Sequence, residues 1–238
     1  MASSNMIKVK TTLPRKPFPP NTDRRPIQTE RLLIRALTQD DLQAMHELRT
    51  QPEVMIFTLR GCIDGNLAET QTRLDEYLPP TGDRQTYNAA VCLAATGEFL
   101  GIGGVRQSAS TVLGWPEVGY QFKREHWGRG YATEFLHAFL EHWWAQPRVE
   151  AEVEVDALSV DAAAATGDCG GSEDVVVPEM LSAIVDGDNP GSLRILQKAG
   201  FERFKEWKEP DSRVGHEGKD VTLVAFAYSS KGRKLDVQ

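Results

Sequence analysis

The segment that most constrains this chain runs from Glu117 to Trp144. Val118, Tyr120 and Phe122 alternate with Glu117, Gly119 and Gln121, the period-two pattern of a strand with two unlike faces. A long helix is expected from about Gly130 to Trp144, with Ala132, Leu136, Phe139, Leu140 and Trp143 as its apolar stripe and Thr133, Glu134, His137 and Glu141 facing away. Gly128 and Gly130 stand in the join, where they let the backbone turn sharply and approach a ligand closely. A helix entered this way presents unpaired N–H groups and the positive end of its dipole, which together suit a pyrophosphate. Lys123, Arg124 and Arg129 put three cations beside it, in a chain whose formal net charge is -7. A tight turn with no ligand has the same glycines. A dinucleotide fingerprint is excluded because Thr133 stands where its last glycine belongs, and no Gly-Lys-Ser/Thr follows to make a P-loop.

The rest of the chain supplies a mixed α/β pattern. Ile27 to Leu37 reads as a strand, Thr38–Asp41 as a helix start, Leu42, Met45 and Leu48 as one helical face, and Asn66 to Leu78 as a second helix. Thr86–Ala95 and Glu98–Gln107 form a hairpin about Thr96–Gly97. Met180–Val185 is a strand, and Asn189–Pro190 opens a helix that Gly200 closes. Phe201–Trp207 and Lys219–Tyr228 are the last strands. Residues 1–25, rich in Pro, Lys and Arg, read as a mobile arm, and 231–238 as a tail. Residues 147–178 read as an acidic low-complexity insertion into a domain spanning 26–230, with Val149–Val155 alternating as a strand would.

Composition narrows the function. An acidic chain is a poor non-specific binder of nucleic acid. Three distant cysteines, Cys62, Cys92 and Cys169, suggest neither a disulfide framework nor a metal site. No run approaches a membrane span or a signal peptide, so a cytoplasmic protein is expected.

Three segments together resemble the GCN5-related N-acetyltransferases (GNAT), in particular the ribosomal-protein N-acetyltransferase branch. Thr29–Arg35 resembles the branch's opening strand. Glu117–Val118–Gly119–Tyr120 followed by Trp127–Gly128–Arg129–Gly130–Tyr131–Ala132–Thr133–Glu134 is similar to the family's acyl-CoA motif. Ala183–Val185, Asp188–Ser192 and Lys198–Phe201 resemble its closing motif. The resemblance covers about Ile27 to Tyr228. It implies a mixed, mostly antiparallel sheet of about seven strands, splayed in the middle, with helices on both faces. It implies acetyl-CoA as co-substrate, no metal, an amine acceptor of unassigned identity, no nucleic-acid or membrane partner, and a monomer or homodimer.

On that resemblance, Gln121, Phe122, Lys123, Arg124, Trp127, Gly128, Arg129, Gly130, Tyr131, Ala132, Thr133, Asn189 and Ser192 would hold the coenzyme. The main chain near Phe122 would stabilise the oxyanion, and Gly119 would mark a bulge that starts the splay. Glu117 is the first candidate for general base, although a carboxylate there could simply face water. Asn189 would hold the pantetheine arm or serve only as a helix cap. Ser192 would protonate the leaving thiolate, because Leu196 stands where many members carry a tyrosine; a solvated first-turn serine is the alternative. Glu125 departs from the usual Gln or Arg of the motif. His126 would flank the phosphates and His137 would be solvated. The acceptor pocket would draw on the first two helices and the last hairpin, with Phe57, Tyr77 and Trp207 as candidates. A catalytically weak acyl-CoA-binding regulator on the same fold is the second reading, which Leu196 keeps open.

Overall fold

The computed structural model describes residues 5–107, 112–160 and 176–229. Its main sheet has eight strands in the order β2-β3-β4-β5-β6-β8-β10-β9. They are β2 (Ile27–Gln28), β3 (Leu32–Arg35), β4 (Tyr87–Leu93), β5 (Phe99–Gln107), β6 (Glu117–Phe122), β8 (Met180–Asp186), β9 (Glu202–Pro210) and β10 (Asp220–Ser229). The expected opening strand is two strands. Thr29 turns the chain between them: its N–H donates to the Leu32 carbonyl and its hydroxyl accepts from the Leu32 N–H at 2.9 Å. Every neighbouring pair is antiparallel except β6 and β8. These two run parallel and share a single residue pair, Glu117 with Ser182, before they part.

Helices cover both faces. On one side lie α1 (Leu42–Arg49), the single turn α2 (Pro52–Met55), α3 (Leu67–Asp75) and α4 (Gly82–Gln85). Met45, Leu48 and Leu74 pack there on Ala90, Cys92 and Ile102. On the other side lie α5 (Tyr131–Trp144) and α6 (Pro190–Lys198). Leu136, Phe139, Leu140 and Trp143 of the expected stripe are buried with Phe135 and Leu196 against Val118, Phe122, Leu181 and Phe226. Strand alternation then fixes the rest: Val118, Tyr120 and Phe122 face α5, while Glu117, Gly119 and Gln121 face the α1–α4 side.

The opening segment is not a mobile arm over its described residues. β1 (Met6–Pro14) pairs antiparallel along its whole length with β7 (Arg148–Asp156), from Met6–Asp156 to Pro14–Arg148. The reason is complementary charge on one face and apolar alternation on the other. Lys8 and Lys10 stand opposite Glu154 and Glu152, while Val9 and Val155 are buried with Trp115. The acidic stretch is thus the partner of the basic one, although residues 15–147 lie between them in the chain, and Val149–Val155 is the strand that its alternation suggested. Within the expected insertion 147–178, residues 161–175 lie outside the described residues, as does the tail 231–238. Phe18 follows β1 into the core at 2% exposure, between Tyr87 and Trp143.

Glu179 enters β8 under this ribbon at 2% exposure, 2.8 Å from the Arg148 guanidinium. Burial, only partly offset by Arg148, pushes its carboxyl up to about 7. Above its unfolded value the folded chain holds the proton more tightly than the unfolded one, so stability should fall as pH rises from about 4.5 to about 7. Glu179→Gln should flatten that slope in urea titrations at stepped pH; an unchanged slope refutes the assignment. Phe18→Ala should cost about 3 kcal/mol by the same denaturation, the scale of a buried aromatic truncation, whereas a loose arm would lose almost nothing.

Candidate active site

The site forms where β6 and β8 separate. At the closed end the Pro116 carbonyl accepts both the Ser182 N–H at 2.8 Å and the Ser182 hydroxyl at 3.0 Å. Further along, the Lys123 N–H donates to the Leu100 carbonyl of β5 at 2.8 Å. In an antiparallel ladder successive N–H groups point to opposite edges. The N–H groups of Phe122 and Tyr120 therefore point away from β5, into the gap. The Phe122 carbonyl on the same edge accepts the Trp127 indole N–H at 2.7 Å, which ties the turn to the strand end. The bulge beside the gap is not at Gly119. It falls on β5, between Val105 and Gln107, where β5 carries one residue more than β6. Gly119 instead leaves bare backbone: a side chain built there would meet nothing within 4 Å. Glu117 and Gln121, both half-buried, flank that opening.

The turn after β6 has the form that its glycines suggested. Gly128 and Gly130 adopt φ of 75° and 83°, the left-handed region that side chains disfavour. Gly130 is the N-cap of α5 and brings no side chain to its first N–H groups, those of Tyr131, Ala132 and Thr133. Such a cradle fits two linked phosphates. Its cations are arranged differently from the expected three. Lys123 points to the opposite face, where its ammonium pairs with Glu47 at 2.7 Å. Arg124 pairs with Glu53 at 3.4 Å, and Arg129 is exposed. Arg31, read from sequence only as part of the opening strand, donates to the Arg129 carbonyl at 3.0 Å and lies over the Tyr131 ring at 4.8 Å.

Glu134 holds Arg31 in that place. It was expected to face water, yet it accepts from the Thr29 hydroxyl at 2.5 Å, the Arg31 N–H at 3.0 Å and the Arg31 guanidinium at 2.7 Å. Burial alone would raise this carboxyl; the hydrogen bonds from Thr29 and Arg31 outweigh it and hold it below its ordinary value. Gln51 is a residue that no motif marked. Its side-chain oxygen accepts the Arg124 N–H at 2.7 Å and its amide donates to Glu125 at 2.9 Å. His126, expected to flank the phosphates, is turned inward beside the turn: it is 6% exposed, with Nε2 3.3 Å from Glu98 and its ring edge-on to Tyr131. His137 is exposed.

Across the gap, α6 begins with the cap read from sequence. Asn189 Oδ1 accepts the Ser192 N–H at 3.0 Å. Ser192 is half-buried, and its carbonyl lies 3.5 Å from the Tyr120 hydroxyl, a phenol that burial pushes up to about 12. Leu196 is fully buried, so that position is a core residue. Tyr77 and Trp207, each 9% exposed, are also packed inside; Phe57, at 37%, is open.

The segment 51–64 links the two separated strand ends. Gln51 and Glu53 hold the end of β6 through Arg124. At the other end Arg213, from the β9–β10 hairpin, donates to the Ile56 carbonyl at 2.9 Å and to Asp186 of β8 at 2.6 Å, while forking onto Asp211. Asp64 closes the segment in a buried cluster, accepting from Arg49 at 2.6 and 2.9 Å, Thr70 at 2.9 Å and Arg60 at 3.2 Å. Desolvation opposes its charge, but the bonds from Arg49 and Thr70 hold its carboxyl below the usual range. Because Asp64→Ala strands the Arg49 charge, it should cost about 3 kcal/mol in denaturant unfolding. Limited proteolysis should then cut first within 51–64; wild-type stability and wild-type cleavage would contradict this anchor.

Among the described residues no group of His, Cys, Asp and Glu side chains could hold a metal ion, and no helix is long and apolar enough to cross a membrane. A family model described as an acetyltransferase (GNAT) domain matches residues 31–202. The Bacillus subtilis protein YkkB is 26% identical over 121 residues, 48% of this chain and 52% of YkkB, so the chain spans about half the length of that relative. A GNAT-family acetyltransferase from Bacillus anthracis superposes with a TM-score of 0.60 at 18% identity, over 87% of this chain and 99% of that one. The spermidine N-acetyltransferase of Vibrio cholerae, solved with CoA and spermine, superposes with a TM-score of 0.56 at 15% identity, over 84% and 96%. The parted parallel strands, the glycine turn on α5 and a family match across most of the domain lead to one conclusion: this chain belongs to the GNAT acetyltransferase family.

Proposed function

We propose that the protein transfers an acetyl group from acetyl-CoA to a primary amine, by direct attack within a ternary complex, in the manner of the ribosomal-protein branch. The observation that carries this reading is the single β6–β8 residue pair, beyond which the Phe122 N–H faces the gap. The pyrophosphate would lie on the N–H groups of Tyr131, Ala132 and Thr133, with Gly128 and Gly130 giving close approach. Trp127, Arg124 and Arg129 would border it, with Arg31 as an added member. The pantetheine arm would run along Gln121 and Phe122, with Asn189 across the gap. Lys123 would act only by bracing β6 on α1 through Glu47.

The amine would arrive from the α1–α4 side over Gly119. Its nitrogen attacks the thioester carbon and its proton passes to Glu117. The Phe122 N–H takes up the charge that develops on the carbonyl oxygen. Collapse breaks the C–S bond, and the thiolate takes the Ser192 proton. Buried Leu196 supports Ser192 in that part, since no hydroxyl occupies the alternative position. The acceptor is a small-molecule amine or a protein N-terminus, and the compartment is the cytoplasm.

Gly128→Val and Gly130→Val, each forced to positive φ, should weaken acetyl-CoA binding about tenfold or more, roughly 1.4 kcal/mol, by titration calorimetry. Unchanged affinity in a folded variant would remove the pyrophosphate assignment. Glu117→Gln should lower kcat by about 10²–10⁴ while acetyl-CoA binding persists, and should remove the acidic limb of the kcat–pH profile. A profile that keeps that limb would assign the base elsewhere. Binding of acetyl-CoA without thiol release for any amine would favour the regulator reading.

A further inference from the structure

We infer that the acceptor carries an apolar body, aromatic or branched, and is not a polyamine; this deepens the reading above and rests on it. The segment 51–64 spans the mouth of the gap, held to the end of β6 by Gln51 and to the end of β8 by Arg213. It meets the β9–β10 hairpin again where the Val214 N–H donates to the Arg60 carbonyl at 3.2 Å. On the reading above, an amine approaching Glu117 over Gly119 from the α1–α4 side would enter beside this rim.

The rim is apolar. Among the described residues ten large hydrophobic side chains are exposed, and six of them stand here: Ile56 at 41%, Phe57 at 37%, Leu59 at 85%, Ile63 at 41%, Leu67 at 41% and Val214 at 61%. Hydrophobic residues scattered singly on a surface need no explanation, but five gathered on two hydrogen-bonded segments, with Leu67 at the adjoining start of α3, do. The sheet face behind continues the character, with Ile184 and Leu223 partly buried beside Trp207.

Charge points the same way. A polyamine needs carboxylates that are not already neutralised. Here Asp186 and Asp211 are held by Arg213, Asp64 by Arg49 and Arg60, Glu69 by Arg60 at 2.6 Å and Glu53 by Arg124. Glu217 turns back onto the Gly215 N–H of its own loop at 3.2 Å. Five acids of the rim and its neighbours thus already serve arginines, which favours the apolar surface as the means of recognition.

The test is steady-state thiol release with 2-phenylethylamine, isoamylamine, ethanolamine and spermidine, after calorimetry has established acetyl-CoA binding. The two apolar amines should exceed ethanolamine and spermidine in kcat/KM by about tenfold or more, the discrimination that a few buried methylenes provide. Phe57→Ser combined with Leu59→Ser removes only exposed side chains, so the variant should fold. Its loss for 2-phenylethylamine should be about tenfold greater than its loss for ethanolamine, with the KM for acetyl-CoA retained. Preference for spermidine or ethanolamine, or an equal loss for all four amines, overturns the inference and leaves the acetyltransferase reading standing. A dimer by light scattering that Leu59→Ser dissociates without changing amine selectivity also overturns it, because a second copy would then cover the rim. Failure to bind acetyl-CoA, or to release thiol with any amine, removes both readings together.

Discussion

β6 and β8 are neighbours in a sheet and exchange only one residue pair. Such an arrangement leaves main-chain N–H and C=O groups along two strand edges without the partner that a ladder supplies, which inside a protein is costly unless something else binds them. The chain meets part of that demand itself. Ser182 closes the lower end onto Pro116, and the Trp127 indole takes the Phe122 carbonyl at the upper end. The groups between form an edge open to an extended ligand with amides of its own, the place proposed above for the pantetheine arm. Nearly everything notable nearby follows from keeping the two strands apart without unfolding them.

That task falls to side-chain contacts between segments far apart in the chain. Glu134 and Arg31 clasp the start of α5 to the β2–β3 turn, so the helix end cannot drift from the sheet. Gln51 holds the Arg124 main chain, and Arg213 holds Asp186. A positioned cradle and a positioned attack path matter because orientation alone supplies a large part of the acceleration in a two-substrate transfer. The same contacts engage Glu53, Asp186 and Asp211 near the mouth, where Ile56, Phe57 and Leu59 are exposed.

The β1–β7 ribbon shows the same economy of charge. A lysine-bearing strand and a glutamate-bearing strand are each poor candidates for order alone, since like charges repel and little apolar surface is available. Paired, they face opposite charges across the register while Val9, Val155 and Trp115 close a small core beneath. Burying Glu179 beside Arg148 under that ribbon desolvates the carboxyl and makes this joint sensitive to proton binding near neutrality.

Local sequence by itself determined the elements whose signal is periodic or stereochemical. Val118, Tyr120 and Phe122 had to share a face, α5 had to bury Leu136, Phe139, Leu140 and Trp143, and Gly128 with Gly130 had to turn the chain, because period and φ are short-range properties. Asn189 had to cap α6 for the same reason. Tertiary structure alone decided which partner each charge finds. Lys123 went to Glu47 instead of the turn, Glu134 to Arg31 instead of water, and residues 6–14 to the distant strand 148–156 instead of solvent. Pairing of this kind depends on distances in space between residues far apart in the chain. The mouth, assembled from segment 51–64 and the hairpin through Arg213, is the part of the site that no run of consecutive residues encodes.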